Sequence, residues 1–512
     1  MLAPGDTQVV AVVEQPRPTR YRRGRAPNFR LGVLGAVLLF VGLAVLSSLA
    51  VPPFRSADES AHGGYALAIA HGRIPSQYER VPAQIPGQRQ PTHVYTTVHP
   101  PLYHALIAGP LLLGIEVGKP LLGLHLARIE SALFSAVTVA LTAVLAGMLL
   151  GRRRTEAVVA AATMATLGIF VLSSSLVYND SLATLLSVAV LLGTLAVLRQ
   201  GLRTSGCVLL ILAAAASMAV RASNAEVVAM AGIGLLAAGA IHARNRWIGV
   251  AQGIGWSAAM GVACFAAAGW FYLLNQARYG HLTGWVSIAY DPHSPMYDAH
   301  GYPYPGGGLS FLLSPDSYLR LARDTYGDLL GVDRVLPWSN PVTVAGLVVV
   351  WSLAALGALW WLRQRRRLGP TRARQALVAL VALHGVACLL YVAWWVQAGG
   401  YPHIRYLFPA LPVVAVILAR AVVGLPGGRW WAVLVVTVQL VLALGYLAKL
   451  PAQWTGESIW GVYPAALGKA GVPLPALVTV GLLLIVICGW LLCARAILTR
   501  QPTRSMISSE TS

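Results

Sequence analysis

Charge is scarce in this sequence: 11% of its 512 residues are Asp, Glu, Lys or Arg, against roughly 25% in an average soluble domain. That leaves too little polar surface to wrap a soluble globule of this size. Acidic residues are scarcer still, 18 against 38 Lys and Arg. The long apolar runs are nearly free of them, with Glu130, Glu156 and Glu226 near the run ends, whereas ion-coupled carriers more often place carboxylates at the midplane. Cysteine is rare. Cys207, Cys264, Cys388, Cys488 and Cys493 all lie in or beside apolar segments and read as small core hydrophobes. No Walker P-loop, HExxH zinc pair or GxSxG elbow occurs, which argues against an ATP-driven pump acting alone, a zincin or a serine hydrolase of that type.

What is abundant is apolar sequence, 57% of the chain, in runs of about 20 residues, the length that crosses roughly 30 Å of hydrocarbon. Twelve spans are expected, at about 31–51, 125–150, 156–174, 181–198, 205–220, 226–241, 248–275, 341–362, 375–397, 404–424, 430–449 and 475–495. The first follows the basic stretch Arg17 to Arg30 and exceeds the roughly 7–15 residues of a cleavable signal core, so it reads as a retained span. The net charge of +20 is a topology signal, because the arginines cluster between runs and are not interleaved with stacking aromatics; nucleic acid is not an expected partner. With residues 1–30 and 498–512 as cytoplasmic tails, Arg152 to Arg154, Arg199, Arg203, Arg244, Arg246, Arg363 to Arg374, Arg429 and Arg495 to Arg504 all fall inside. This requires Leu102 to Val117, opened by Pro100-Pro101 and broken by Pro110, to lie at the interface or re-enter. The fold class is therefore an all-α polytopic membrane protein of a bacterial-type plasma membrane, with outer loops at 52–124 and 276–340 around one domain spanning 31–497.

The first outer loop holds the densest chemistry. Ser56 and Glu59 form a capping box, so a short helix is expected to start there and stop near Gly72. Asp58 and His62, four apart, share a helical face. Each is a candidate catalytic group, as is Glu59, although solvation of the pair and capping by Glu59 are the plainer alternatives. His99, before Pro100-Pro101-Leu102-Tyr103-His104, either starts the interfacial helix or faces the same cavity. Asn179 and Asp180 read as caps of the next span, or as a site for a cation or sugar hydroxyls. Arg221 and Arg405 are exceptions to the inside rule. An arginine at or below the outer surface pairs with an anion, which for Arg221 is a lipid phosphate, Asp58 or Asp180, unless it snorkels. Arg405, beside His403 and Tyr406, can take two phosphate oxygens at once. In the second loop, Gly301 to Gly308 precede a helix start at Ser314-Pro315-Asp316; Asp291, His293, Asp298, Asp324 and Asp328 are available for sugar contacts, but no spacing singles one out and solvation is the plainer reading.

These residues give the chain a resemblance to the GT-C superfamily of polytopic glycosyltransferases. It is carried by Asp58-Glu59 after the first span, His99-Pro100-Pro101-Leu102-Tyr103 opening a juxtamembrane helix, and Arg128 near the start of the next span. Family 39, related to protein mannosyltransferases, has a comparable order. The chain also resembles a bacterial family of membrane proteins with a Pro-Asp-Glu-x-x-His pattern, a Leu-Pro-Trp element and a Gly-Arg-Tyr-Leu-x-Pro block, here Ala57 to His62, Leu336-Pro337-Trp338 and Ile404 to Pro409. Ala57 replaces the usual proline and Ile404 a common glycine. The resemblance implies a polyprenyl-phosphate-linked sugar as donor, a glycan, lipid or protein as acceptor, Asp58 as general base or, in some members, as ligand of a divalent cation, and Arg405 with Arg221 or His403 on the leaving phosphate. A flippase for a lipid-linked saccharide and a scaffold of envelope assembly are the rival expectations.

Overall fold

The computed structural model describes residues 27–54, 57–80, 85, 94–151, 153–284, 307–315, 317, 352, 353, 355–357, 359, 372–398, 403–455 and 458–499. Among them every regular element is helical. In chain order these are α1 (Pro27–Ala50), α2 (Ala57–Ala70), α3 (Leu102–Glu116), α4 (Pro120–Leu150), α5 (Arg154–Thr166), α6 (Gly168–Ser174), α7 (Asp180–Gln200), α8 (Thr204–Met218) and α9 (Ala225–His242). There follow α10 (Arg246–Cys264), α11 (Trp270–Tyr279), α12 (Gly307–Leu313), α13 (Arg372–Gln397), α14 (Leu411–Val423), α15 (Gly428–Thr455), α16 (Ile459–Lys469) and α17 (Pro475–Leu498). Short 3-10 turns cover Tyr95–Val98, Ala222–Asn224 and Ile404–Ala410, and a π turn, Phe265–Gly269, joins α10 to α11.

Nine helices among the described residues are long and apolar enough to cross a membrane, or ten if α5 and α6, bent by 61° at their junction, are counted as one broken span. The chain is a polytopic all-α membrane protein. Of the twelve expected spans, 205–220 corresponds to α8, only 15 residues long, and 341–362 falls largely outside the described residues. Large apolar side chains stay uncovered along the helices, such as Val262, Phe265, Leu477 and Leu484, and a bilayer is the solvent that tolerates them. The stretch from Leu102 is the 15-residue helix α3 with Pro110 inside it, shorter than a span, as its length and prolines imply.

Helices in lipid associate through close backbone approach and interhelical hydrogen bonds. Gly35 of α1 faces Gly489 of α17 so closely that a Cβ on Gly35 would lie 2.8 Å from the Gly489 carbonyl oxygen. Polar ties fasten the interior: Ser47 to Ser175 at 2.8 Å, Ser174 to Ser135 at 2.8 Å and Thr166 to Gln439 at 2.9 Å.

The bundle has two chemically distinct ends. At one, Arg153 and Arg420 approach Glu156 at 3.3 and 3.8 Å, and Arg199 donates to the Met148 carbonyl at the far end of α4. At the other, Arg128 near the start of α4 binds Glu59. The short helices α2 and α3, the α6–α7 turn and the 3-10 turn before α14 converge at this second end.

Candidate functional site

The first helical turn after α1 is fixed by an ion pair. Glu59 and Arg128 are both fully buried, with Arg128 Nε and Nη2 each 2.7 Å from a different Glu59 oxygen. Arg128 also donates to the carbonyls of Ser48, Val51 and Pro52, at 2.6, 2.9 and 3.2 Å, which α1 leaves without helical partners. Glu59 accepts from the backbone N–H of Phe54 at 3.1 Å and of Val177 at 3.2 Å. Phe54 adopts a left-handed backbone, φ 52°, a conformation costly for a bulky residue, and the Glu59 bond holds that turn. A hydroxyl or phosphate could reach this carboxylate only by displacing these donors. Glu59, expected among the catalytic candidates, thus stands behind the site as an anchor, and its capping partner Ser56 lies outside the described residues.

Successive helical residues point about 100° apart, so with Glu59 turned inward, Asp58 faces the neighbouring helix ends. Its carboxylate lies 2.6 Å from Arg405 Nη1 and accepts from the Tyr95 hydroxyl at 2.5 Å. Asp180 begins α7 and pairs with Arg221, while Arg405 Nη1 lies 4.0 Å from Asp180. Four charges thus alternate as Asp58, Arg405, Asp180 and Arg221, summing to zero. Aromatic faces line the guanidiniums. Arg405 lies 5.4 Å from the Tyr178 ring and 5.5 Å from that of Tyr406, and Arg221 lies 5.4 Å over Tyr406; each contact favours a cation.

Several donors here are left over. The Nε of Arg221, the Nε of Arg405, the Asn179 amide nitrogen and the Ser181 hydroxyl are buried and find no acceptor among the described residues. A buried donor without an acceptor costs about 1–3 kcal/mol, more when charged. Two guanidiniums and two flanking neutral donors are suited to an anion with several oxygens, such as a phosphate. The expected capping role of Asn179 is not what the side chain does, since it makes no cap hydrogen bond to α7. The expected anionic partner of Arg221 is Asp180.

Burial raises the Asp58 carboxyl, but the Arg405 guanidinium, the Tyr95 hydroxyl and the nearby His62 outweigh it and hold the group well below the usual carboxylate range. His62 is on the same face of α2, yet its hydrogen bond goes to His104, Nδ1 to Nε2 at 2.8 Å. Burial lowers the His62 imidazole to about 4, against the opposing pull of Asp58 and Asp180. His99 stacks near His62 with ring centres 6.2 Å apart and is likewise lowered by burial, then by Arg221. His403 opens the 3-10 turn with its ring 6.2 Å from Tyr406. All ten residues singled out from the sequence lie on the elements that meet at this end, with Glu59 behind the others. Asp291, His293, Asp298, Asp316, Asp324, Asp328 and Leu336 to Trp338 lie outside the described residues.

Tyr95, Tyr178, Ser181 and His104 join the site without having been singled out as site residues. Arg128 had a signal of its own, a lone arginine near the start of a span, which must find an anion. A divalent cation at Asp58 does not fit the donors present, because Asp58 and Asp180 each already face a guanidinium and the cluster is neutral. The five cysteines are free thiols.

Neither a protein-family model nor a curated protein sequence matches this chain. Among solved structures, the chain is similar to ArnT from Cupriavidus metallidurans in the apo state, with a TM-score of 0.46 and 13% identity over 91% of this chain and 76% of that one. It is similar also to the same protein bound to undecaprenyl phosphate, with a TM-score of 0.45 and 13% identity over 91% and 77% of the two chains.

Proposed function

We propose that the chain is an inverting glycosyltransferase that moves a sugar from a polyprenyl-phosphate donor to an acceptor hydroxyl on a glycan, lipid or protein, at the outer face of a bacterial plasma membrane. The observation that carries this reading is the pairing of one partly exposed carboxylate, Asp58, with two guanidiniums that retain unused buried donors, the mostly covered Arg405 and the buried Arg221. The arginine-rich far end of the bundle then faces the cytoplasm, in accord with the positive-inside bias.

The donor enters with a phosphodiester carrying one negative charge. Its phosphate takes up donors of Arg405 and Arg221, which loosens Arg405 from Asp58 and turns that carboxylate toward the acceptor. The acceptor oxygen attacks the sugar C1 from the face opposite the phosphate; the C1–acceptor bond forms as the C1–phosphate oxygen bond breaks, and the acceptor proton passes to Asp58. A carboxylate is too weak a base to take that proton beforehand, so the transfer accompanies bond formation. The leaving phosphate gains a second negative charge during the step. Guanidiniums fixed around it bind the transition state more tightly than the ground state, which is the condition for acceleration. His62, held neutral by burial and hydrogen-bonded to His104, serves as a dry wall beside Asp58 rather than as a competing base.

Membranes containing the full chain, incubated with a panel of polyprenyl-phosphate sugars, test the reading. Sugar release that depends on the chain supports it. A lipid-linked saccharide that crosses the bilayer unhydrolysed and untransferred favours a flippase that uses the same arginines, and absence of both activities favours a scaffold.

A further inference from the structure

Five residues beyond Arg221, Glu226 enters the first turn of α9 and meets two side chains of α13. His384 and Cys388 are one turn apart on the same face of α13. His384 Nδ1 lies 3.2 Å from Glu226 Oε2, Cys388 Sγ lies 3.6 Å from Glu226 Oε1, and Cys388 Sγ lies 4.0 Å from His384 Nδ1. His384 and Cys388 are buried, and Glu226 nearly so. Among the described residues this is the one group of three His, Cys, Asp or Glu side chains whose ligand atoms all converge, within 4.8 Å of one another.

We infer that Glu226, His384 and Cys388 form a binding site for a soft divalent transition metal of the zinc class. The spacing supports it, because bonds of about 2.0–2.3 Å at tetrahedral angles put ligand atoms roughly 3.3–3.6 Å apart, close to what is observed without a metal. The imidazole is also preset. His384 Nε2 lies 3.0 Å from the Pro409 carbonyl oxygen, so this nitrogen carries the hydrogen and Nδ1 is the one aimed at the other two ligands. Metal-binding histidines characteristically donate their second N–H to such a carbonyl. The ligand set selects the ion, since a thiolate and an imidazole suit zinc and disfavour magnesium or calcium. Charge balance suits a membrane span: a divalent cation, one thiolate, one carboxylate and a neutral imidazole sum to zero. Binding displaces the Cys388 thiol proton, with any proton on His384 Nδ1, to solvent.

The site would act as a brace. It joins α9, α13 and, through Pro409, the 3-10 turn that carries Arg405 and Tyr406. It leaves a fourth coordination position to a non-protein ligand. The inference does not depend on the glycosyl-transfer reading.

The test is metal analysis of the full chain purified without chelators, followed by replacement of the bound metal with cobalt. About one zinc per chain is expected, with a thiolate-to-cobalt charge-transfer band after exchange. Cys388→Ser should remove that band and lower zinc retention at least tenfold, whereas Cys488→Ser, at an exposed thiol on α17, should change neither. Because a variant could be lost to misfolding, the cobalt spectrum of the unmodified chain is itself decisive. A chain that takes up no stoichiometric zinc or cobalt, or a thiolate band unchanged in folded Cys388→Ser, overturns the inference and leaves a metal-free hydrogen-bonded triad.

Discussion

Replacing Arg128 by methionine keeps most of its volume and removes every donor that the arginine supplies to Glu59 and to the carbonyls after α1. Glu59, with no exposed surface, would keep only the two backbone N–H groups of Phe54 and Val177. Breaking a buried pair from one side costs about 3–5 kcal/mol. Three carbonyls at the end of α1 lose a donor as well, at about 1 kcal/mol for each that water cannot reach. Because these terms overlap, about 4 kcal/mol is expected for Arg128→Met, a large share of the roughly 5–15 kcal/mol available to a folded domain. Glu59→Gln should cost less, about 2–3 kcal/mol, since Arg128 retains its three carbonyls. The double variant restores neutrality, so it should be more stable than the sum of the single costs implies, by about 2 kcal/mol or more. Unfolding in mixed detergent micelles, followed by tryptophan fluorescence, measures all four proteins. Single costs below about 1 kcal/mol, or double-variant costs additive within about 0.5 kcal/mol, would refute the view that this pair anchors the site.

Other outcomes follow from the same geometry. Arg405→Lys keeps the charge but loses the planar fork, so binding of a polyprenyl phosphate, read by fluorescence quenching in nanodiscs, should weaken at least tenfold. Tyr95→Phe removes a hydrogen bond to ionised Asp58 and raises its pKa; the acid limb of the kcat/KM profile should shift to higher pH, and an unmoved limb would count against Asp58 as the base. His62 falls from an ordinary value near 6.5 to about 4 on folding, so the unfolded chain binds more protons between those values. Its contribution is therefore complete above pH 6.5 and is lost as pH falls toward 4, by about 3 kcal/mol at roughly 1.4 kcal/mol for each tenfold change in proton affinity. Melting temperature against pH should show this loss and His62→Phe should flatten it.

Much of the architecture could be read from the chain because lipid imposes long apolar runs and confines arginine to the ends. The short α8 and the bend between α5 and α6 could not, since both depend on packing against neighbours rather than on local pattern. Asp58, Asp180, Arg221 and Arg405 stood out as charges beside apolar segments, but their alternation is set by tertiary contact between residues up to 347 positions apart. The local rule that makes Ser56 and Glu59 a capping box pointed Glu59 at backbone amides. Glu59 does accept from two of them, Phe54 and Val177, but Arg128, 69 residues further on, binds it as well, because a buried arginine must find an anion. Cys388 read as a core hydrophobe, and its nearness to Glu226 across 162 positions has no trace in spacing.

The central claim is that one carboxylate receives the acceptor proton while guanidiniums hold the phosphate. Asp58→Asn, measured in nanodiscs for both polyprenyl-phosphate binding and sugar transfer, separates these tasks. Binding should be retained or strengthened, because Arg405 loses its internal competitor, while transfer should fall at least a hundredfold. Transfer at an undiminished rate in the folded variant would contradict the assignment of Asp58 as the base.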